Sequence, residues 1–184
     1  MNFFTTEHQF LVPQLDAVCF GSLAQRNGHS RQSIAKLLSL TSDDCLRMFD
    51  VNIRKQYYTK EIITASLKAA NGLKVNDEEL SVLRGMYDLK GTEIEQLQAM
   101  IDQYDLKLGV LTCAERGAYI STGSDVSFLK PPAIRELVST IGAGDAFTAM
   151  VMIGYLNNYS LAEMNEKACH LAGYVCTQQG AVPV

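Results

Sequence analysis

Apolar residues along the chain fall into short continuous runs, separated by longer stretches in which they recur every three or four positions. The first pattern predicts buried strands and the second amphipathic helices. Asp16–Phe20 (DAVCF) is short, apolar and followed by Gly21, a strand signal. Ser30–Leu40 places Ile34, Leu37 and Leu38 at helical spacing. Leu46–Val51 (LRMFDV) predicts a strand, Glu61–Ala70 a helix and Leu73–Val75 a short strand. Asp77–Tyr87 predicts a helix capped by Asn76 or Asp77, and Thr92–Tyr104 another, opened by Thr92 and Glu95 at capping-box spacing. Lys107–Thr112 is a strand with a continuous apolar centre, and Ala118–Leu129 a hairpin turning at Thr122-Gly123-Ser124. Gly144–Asn157 and Leu161–Gln178 read as long apolar helices, and the first fifteen residues as irregular. Strand–helix alternation with near-continuous apolar strands is the signature of a parallel sheet covered on both faces, hence one α/β three-layer unit.

Composition narrows the classes. At 184 residues the chain matches roughly one domain of about 150. Its 47% hydrophobic content excludes disorder as the main state. Sixteen Lys and Arg against twenty Asp and Glu leave a charge of −4, which argues against a nucleic-acid or anionic-membrane partner. The five cysteines are odd in number and lack CxxC spacing, and Cys19, Cys113, Cys169 and Cys176 sit in apolar runs. Reduced thiols and a cytoplasmic setting are expected. No apolar run approaches the length of about 18 residues that a membrane span needs, and MNFFTTEHQF lacks the basic and apolar regions of a signal peptide.

The stretch Val138-Ser139-Thr140-Ile141-Gly142-Ala143-Gly144-Asp145-Ala146-Phe147 carries the candidate chemistry. Small residues at a helix start let a phosphate approach, and the N–H groups of Gly142, Ala143 and Gly144 can form an anion hole aided by the helix dipole. Asp145 beside such a hole would repel phosphate, which makes sense if it deprotonates a phosphate acceptor's hydroxyl. A plain Gly-rich loop with a helix-capping acid gives the same letters. The dinucleotide-binding reading lacks its context, since that fingerprint belongs in the first βαβ unit with an acid about 20 residues on.

With this stretch the chain resembles the ribokinase-like (PfkB) carbohydrate kinases, whose DTxGAGDAF signature is similar to STIGAGDAF here. Other landmarks follow in that family's order. Phe49-Asp50-Val51-Asn52-Ile53-Arg54 resembles its DxNxR segment, Asn76 through Glu79 its NxxE motif, and Thr112 through Ala118 its TxGxxG nucleotide loop. His170 through Ala181 resembles its adenine-site helix and loop, and Cys19 through Arg26 a segment of fructokinase-like members.

The resemblance implies a three-layer α/β/α ribokinase-like (Rossmann-like) fold, with residues 1–184 as its C-terminal nucleotide-binding part, lacking the N-terminal strands and β-lid. It implies transfer of phosphate from ATP, with Mg²⁺, to a sugar hydroxyl of a fructose-like hexose, or a truncated nucleotide-binding fragment that transfers nothing alone. Asp145 would be the base and Gly142, Ala143 and Gly144 the anion hole. Asn76, Thr112, Ala114, Gly117, His170 and Cys176 would line the nucleotide, and Asn52, Arg54 and Glu79 would attend its phosphates and magnesium. Each has a plainer explanation: a solvated strand end for Asp50, Asn52 and Arg54, a helix cap for Asn76 and Glu79, turn chemistry for Thr112 and Gly117, packing for His170 and Cys176. Two letters depart from the family. Ser139 replaces an Asp that helps hold a monovalent cation in some members, leaving carbonyls of Ile141, Cys176 and Gln179. Ala114 replaces a glycine. A truncated sheet would also expose an edge open to self-association.

Overall fold

The computed structural model describes residues 6–131, 134 and 136–181. Its sheet has six strands in sequence order: β1 (Ala17–Gly21), β2 (Leu46–Asp50), β3 (Gly72–Asn76), β4 (Leu108–Thr112), β5 (Ala118–Ser121) and β6 (Val126–Leu129). β1 to β4 are parallel, while β5 and β6 run antiparallel as a hairpin, so the sheet is mixed. Among the described residues seven α-helices accompany it: α1 (Thr6–Leu11), α2 (Gly28–Leu38), α3 (Lys60–Ala69), α4 (Asp77–Tyr87), α5 (Glu93–Tyr104), α6 (Ala143–Leu156) and α7 (Leu161–Cys176).

Strand alternation sorts the core into two layers. In β2, Leu46 and Met48 join one apolar cluster and Phe49 the other, as a period of two requires. Helices α2 to α5 close the Phe49 side with Leu38, Ile63, Leu67, Leu83, Leu97 and Met100. Helices α6 and α7 close the Met48 side with Phe147, Val151, Met164 and Ala168. Each fully buried Leu contributes about 1.5–3 kcal/mol by leaving water. A Cβ on Gly154 of α6 would lie 2.5 Å from Met164 Cγ, so that glycine sets how closely the two helices approach. Buried Asn165 pins α7 to the hairpin, its Nδ2 donating to the Ala118 carbonyl at 3.0 Å and the Ser127 carbonyl at 3.3 Å.

The N-terminal stretch departs from the sequence expectation, since Thr6–Leu11 is helical and Val12–Gln14 forms one 3₁₀ turn. Among the described residues β1 is paired on one side only, by β2. On α6, which is apolar around most of its circumference, Ile153 and Leu156 are 50% and 43% exposed.

Candidate functional site

The parallel strands end at Gly21, Asp50, Asn76 and Thr112, the edge of an α/β sheet where ligands bind. The segment leading into α6 reaches this edge. Gly142 caps the helix with φ +86°, and its carbonyl accepts from the Ala146 N–H at 2.8 Å. A Cβ on Gly142 would lie 2.5 Å from the Ala181 carbonyl oxygen, so glycine is required there for conformation and for space. The Cys176 carbonyl accepts from the N–H groups of Val138 (2.9 Å) and Ser139 (3.2 Å), which joins the end of α7 to the same segment. The Ala143 N–H donates to the Thr140 carbonyl at 3.3 Å, while those of Gly142 and Gly144 have no acceptor among the described residues. Asp145 is exposed in the first helical turn. Ser139 Oγ accepts from the Ile141 N–H at 3.2 Å.

Beneath this helix start lies a buried ionic cluster. Lys74, 7% exposed on β3, donates from Nζ to Asp50 Oδ1 at 3.1 Å. Thr148 Oγ1, on α6, lies 3.2 Å from Asp50 Oδ2 and 2.9 Å from the Gly144 carbonyl. An ideal Cβ on Gly144 would stand 3.5 Å from Lys74 Nζ, which places the ammonium under the first turn of α6. Burial raises the Cys19 thiol on neighbouring β1 to about 11; Asp50 and Asp145 add to the rise and Lys74 opposes it. The residue itself is exposed on β1.

Asn76 and Glu79 form the capping box that their spacing predicts. Asn76 Oδ1 accepts from the Glu79 N–H at 2.7 Å, and Glu79 Oε2 from the Asn76 N–H at 2.9 Å. Glu79 does more, because its Oε1 also accepts from the Ile53 N–H at 3.1 Å and so holds the segment after β2 against α4. Within that segment Asn52 has φ +45°, and its Oδ1 accepts from Nε of exposed Arg54 at 3.1 Å. From the loop after β1, Ser22 Oγ donates to the Val51 carbonyl at 2.6 Å, and buried Gln25 bonds Ser66 Oγ at 2.8 Å.

Thr112 stands beside Asn76 in register and opposite Ala118. The loop between closes with the Cys113 N–H on the Gly117 carbonyl at 2.8 Å. Ala114 sits at φ +47° and Gly117 at φ +129°; a Cβ on Gly117 would meet the Phe128 ring at 2.6 Å. Arg116 spans from this loop to Asp77 and Glu93, at the starts of α4 and α5, with nitrogen–oxygen distances of 2.9 Å. On α7, His170 is exposed, with no hydrogen bond to the α6 segment among the described residues, whereas Cys176 is buried and burial raises its thiol. Gln179 is exposed. A separate groove lined by Arg84, Asp88, Leu89, Lys90 and Gln96 lies at the far end of α4 and shares no residue with this edge.

The sequence reading gave no role to Lys74, Thr148 or Arg116, and placed Asp50 only at a polar strand end. One signal for Lys74 was available: a lysine in the middle of the apolar strand GLKVN.

The arrangement places two N–H groups without acceptors among the described residues at a helix start, a carboxylate beside them and a charged pair beneath. Comparison with known proteins agrees on the lineage. The chain is 25% identical over 185 residues to the ATP-dependent 6-phosphofructokinase of Thermoanaerobacterium thermosaccharolyticum, covering 97% of this chain and 56% of that protein. It is 26% identical over 163 residues to Fructokinase-2 of Oryza sativa subsp. japonica, covering 82% and 47%. The chain thus spans about half the length of the curated relatives it matches. The fructokinase of Xylella fastidiosa with bound ATP superposes with a TM-score of 0.81 over 98% of this chain and 63% of that one, at 16% identity, a likeness of fold. Residues 5–183 match the pfkB family of carbohydrate kinases, and the chain belongs to that family.

Proposed function

We propose that this chain is the C-terminal, nucleotide-binding part of a sugar kinase that phosphorylates a hydroxyl of a fructose-like hexose. The observation that carries the reading is the start of α6: two N–H groups, at Gly142 and Gly144, without acceptors among the described residues, beside an exposed carboxylate on Asp145. Asp145 accepts the proton of the acceptor hydroxyl as the oxygen attacks the terminal phosphorus of ATP. The bond to ADP breaks and the leaving oxygen keeps the electron pair. The helix-start N–H groups offset the negative charge on the transferring group, which is most of what such an enzyme supplies.

ATP as the donor is supported by the relatives, one named as ATP-dependent and one solved with ATP. Thr112, Ala114 and Gly117 supply the loop, and His170 and Cys176 the helix end, on which its base and ribose would lie. Asn76, Asn52 and Arg54 face the phosphates in this reading. Magnesium would accompany the nucleotide phosphates, to which a hard cation binds through oxygen. Both Glu79 oxygens accept backbone N–H groups, and Glu79 would attend a magnesium ion through the water such an ion keeps. We assign no monovalent cation near Ser139, Ile141 and Gln179, since the Cys176 carbonyl already accepts two N–H groups and Ser139 supplies no charge. The expected setting is cytoplasmic; no described helix is long and apolar enough to cross a membrane.

A second reading is a nucleotide-binding fragment that needs further chain for turnover. It rests on the span of about half the relatives' length and on the open flank of β1, Ile153 and Leu156, where self-association or the rest of a kinase would pack. The test is ADP release from Mg-ATP over a panel of sugars including fructose, with Asp145→Asn beside it. Sugar-dependent turnover lost in the variant supports the kinase. Nucleotide binding without turnover supports the fragment, and neither binding nor turnover in a folded chain refutes both.

A further inference from the structure

We propose that Arg116 is a positioning residue for nucleotide binding: its guanidinium fastens the loop between β4 and β5 to the starts of α4 and α5, in the shape that receives the base and ribose. The proposal rests on the reading of residues 112–117 as the nucleotide loop. It begins from a strained backbone. Ala114 sits at φ +47°, where a Cβ is disfavoured, and Gly117 at φ +129°, a region that L side chains rarely adopt. Such strain persists only where the surroundings hold it, and it gathers at ligand-binding loops. Part of the hold is internal. The Cys113 N–H donates to the Gly117 carbonyl at 2.8 Å, and the Arg116 N–H to the Cys113 carbonyl at 2.9 Å.

The Arg116 side chain supplies a hold from outside the loop. Its Nη1 and Nη2 donate to the two oxygens of Glu93 as a fork, and Nη2 donates also to Asp77 Oδ2, each at 2.9 Å. Glu93 opens α5 and Asp77 opens α4. A bidentate fork fixes orientation as well as distance, so the loop cannot tilt without breaking bonds to both helices. Asp77 follows Asn76, which pairs in register with Thr112, so the fork sets the loop against the strand ends assigned to the nucleotide. Stability does not account for this arrangement. The arginine side chain is 53% exposed, and ion pairs so open to water add little to folding. Helix dipoles explain an acid at positions 77 and 93, yet not a guanidinium shared between them. A loop that must keep one shape at an exposed edge does explain it, since pre-organisation spares the ordering cost at binding.

The test has two arms. Hydrogen–deuterium exchange of the free chain reads the loop itself: in Arg116→Met the amides of residues 113–117 are expected to exchange about threefold faster or more, with those of α7 unchanged. Calorimetric titration with ADP reads the consequence, an affinity lower by about the same factor, because apparent affinity scales with the fraction of chains that hold the competent shape. Arg116→Lys keeps the charge and loses the fork, and is expected to behave as Arg116→Met does. Glu93→Ala separates positioning from direct contact with phosphate. It removes a negative charge and frees the arginine, so an Arg116 that touched phosphate would bind ADP more tightly, whereas a positioning Arg116 leaves binding weaker. The double variant Arg116→Met/Glu93→Ala is then no weaker than the weaker single variant. Unchanged exchange in Arg116→Met, full affinity in Arg116→Lys, or tighter binding by Glu93→Ala overturns the role of Arg116 and leaves the nucleotide loop standing. No ADP binding by the wild type, whatever the exchange shows, overturns the nucleotide reading and this proposal with it.

Discussion

Gly142 and Ala181 meet so closely that one added methyl group on the glycine would stand 2.5 Å from the alanine carbonyl oxygen and 2.9 Å from its Cα. The helix start that carries Asp145 is thus seated against the loop that follows α7. Gly142→Ala is expected to destabilise the chain by about 1–3 kcal/mol, from the positive φ and the overlap together. Denaturant unfolding measures it, and an unchanged midpoint would refute the seating.

Asp145 is exposed, and no hydrogen bond ties its side chain down among the described residues. Asp145→Asn should therefore leave stability within about 0.5 kcal/mol. Sugar-dependent turnover, where the chain supports it, should fall about 10²–10⁴-fold, the usual worth of a general base. Thermal melting and ADP release on the same preparation check both halves, and retained turnover would remove Asp145 from the mechanism.

Ala114 occupies φ +47°, where a Cβ is strained and glycine is not. Ala114→Gly is expected to stabilise the chain by about 0.5–1 kcal/mol, less what glycine loses in the unfolded state. A lower unfolding midpoint in the glycine variant would contradict the strain.

Cys19 offers a chemical probe of the site's field. Its thiol is pushed up to about 11, so at pH 8 it is overwhelmingly protonated and alkylation by iodoacetamide should be slow despite its exposure. Asp145→Asn removes a negative neighbour, lowers that pKa and should speed alkylation at fixed pH. An identical rate in the variant would show that Asp145 does not act on Cys19.

Burial raises the thiols of Cys113 and Cys169 from 9.0 to about 11. Their folded pKa lies above the unfolded value, so the contribution is fully present below pH 9 and is lost as pH rises through 11. Stability should decline across that window, and Cys169→Ala should flatten part of the decline. Unfolding curves from pH 8 to 11 decide it.

Much of the fold was legible because its determinants are local. Asp77–Tyr87 has the bounds its periodicity predicts, and both expected capping boxes form. A third, Ser160 with Glu163 at the start of α7, has the same spacing and was overlooked. Thr6–Leu11 was misread because the helix is short and carries a weak periodic signal. Within the site, the glycines and Asp145 announce themselves as a contiguous string. Arg116 does not, since its partners Asp77 and Glu93 lie 39 and 23 residues away.

The sequence by itself determined the strand and helix periods, the caps formed across three residues and the family landmarks, since each depends on backbone preferences and side chains within one or two turns. The tertiary structure decided which distant residues share the edge of the sheet. Asp50 lies beside Lys74 because parallel β2 and β3 pair in that register, and Thr148 reaches the pair from 98 residues away because α6 packs on that face. Ala181 is seated on Gly142 because α7 returns the chain to the helix start. Such pairings follow from burying two apolar layers at once, a balance struck over the whole molecule that no short stretch of residues contains.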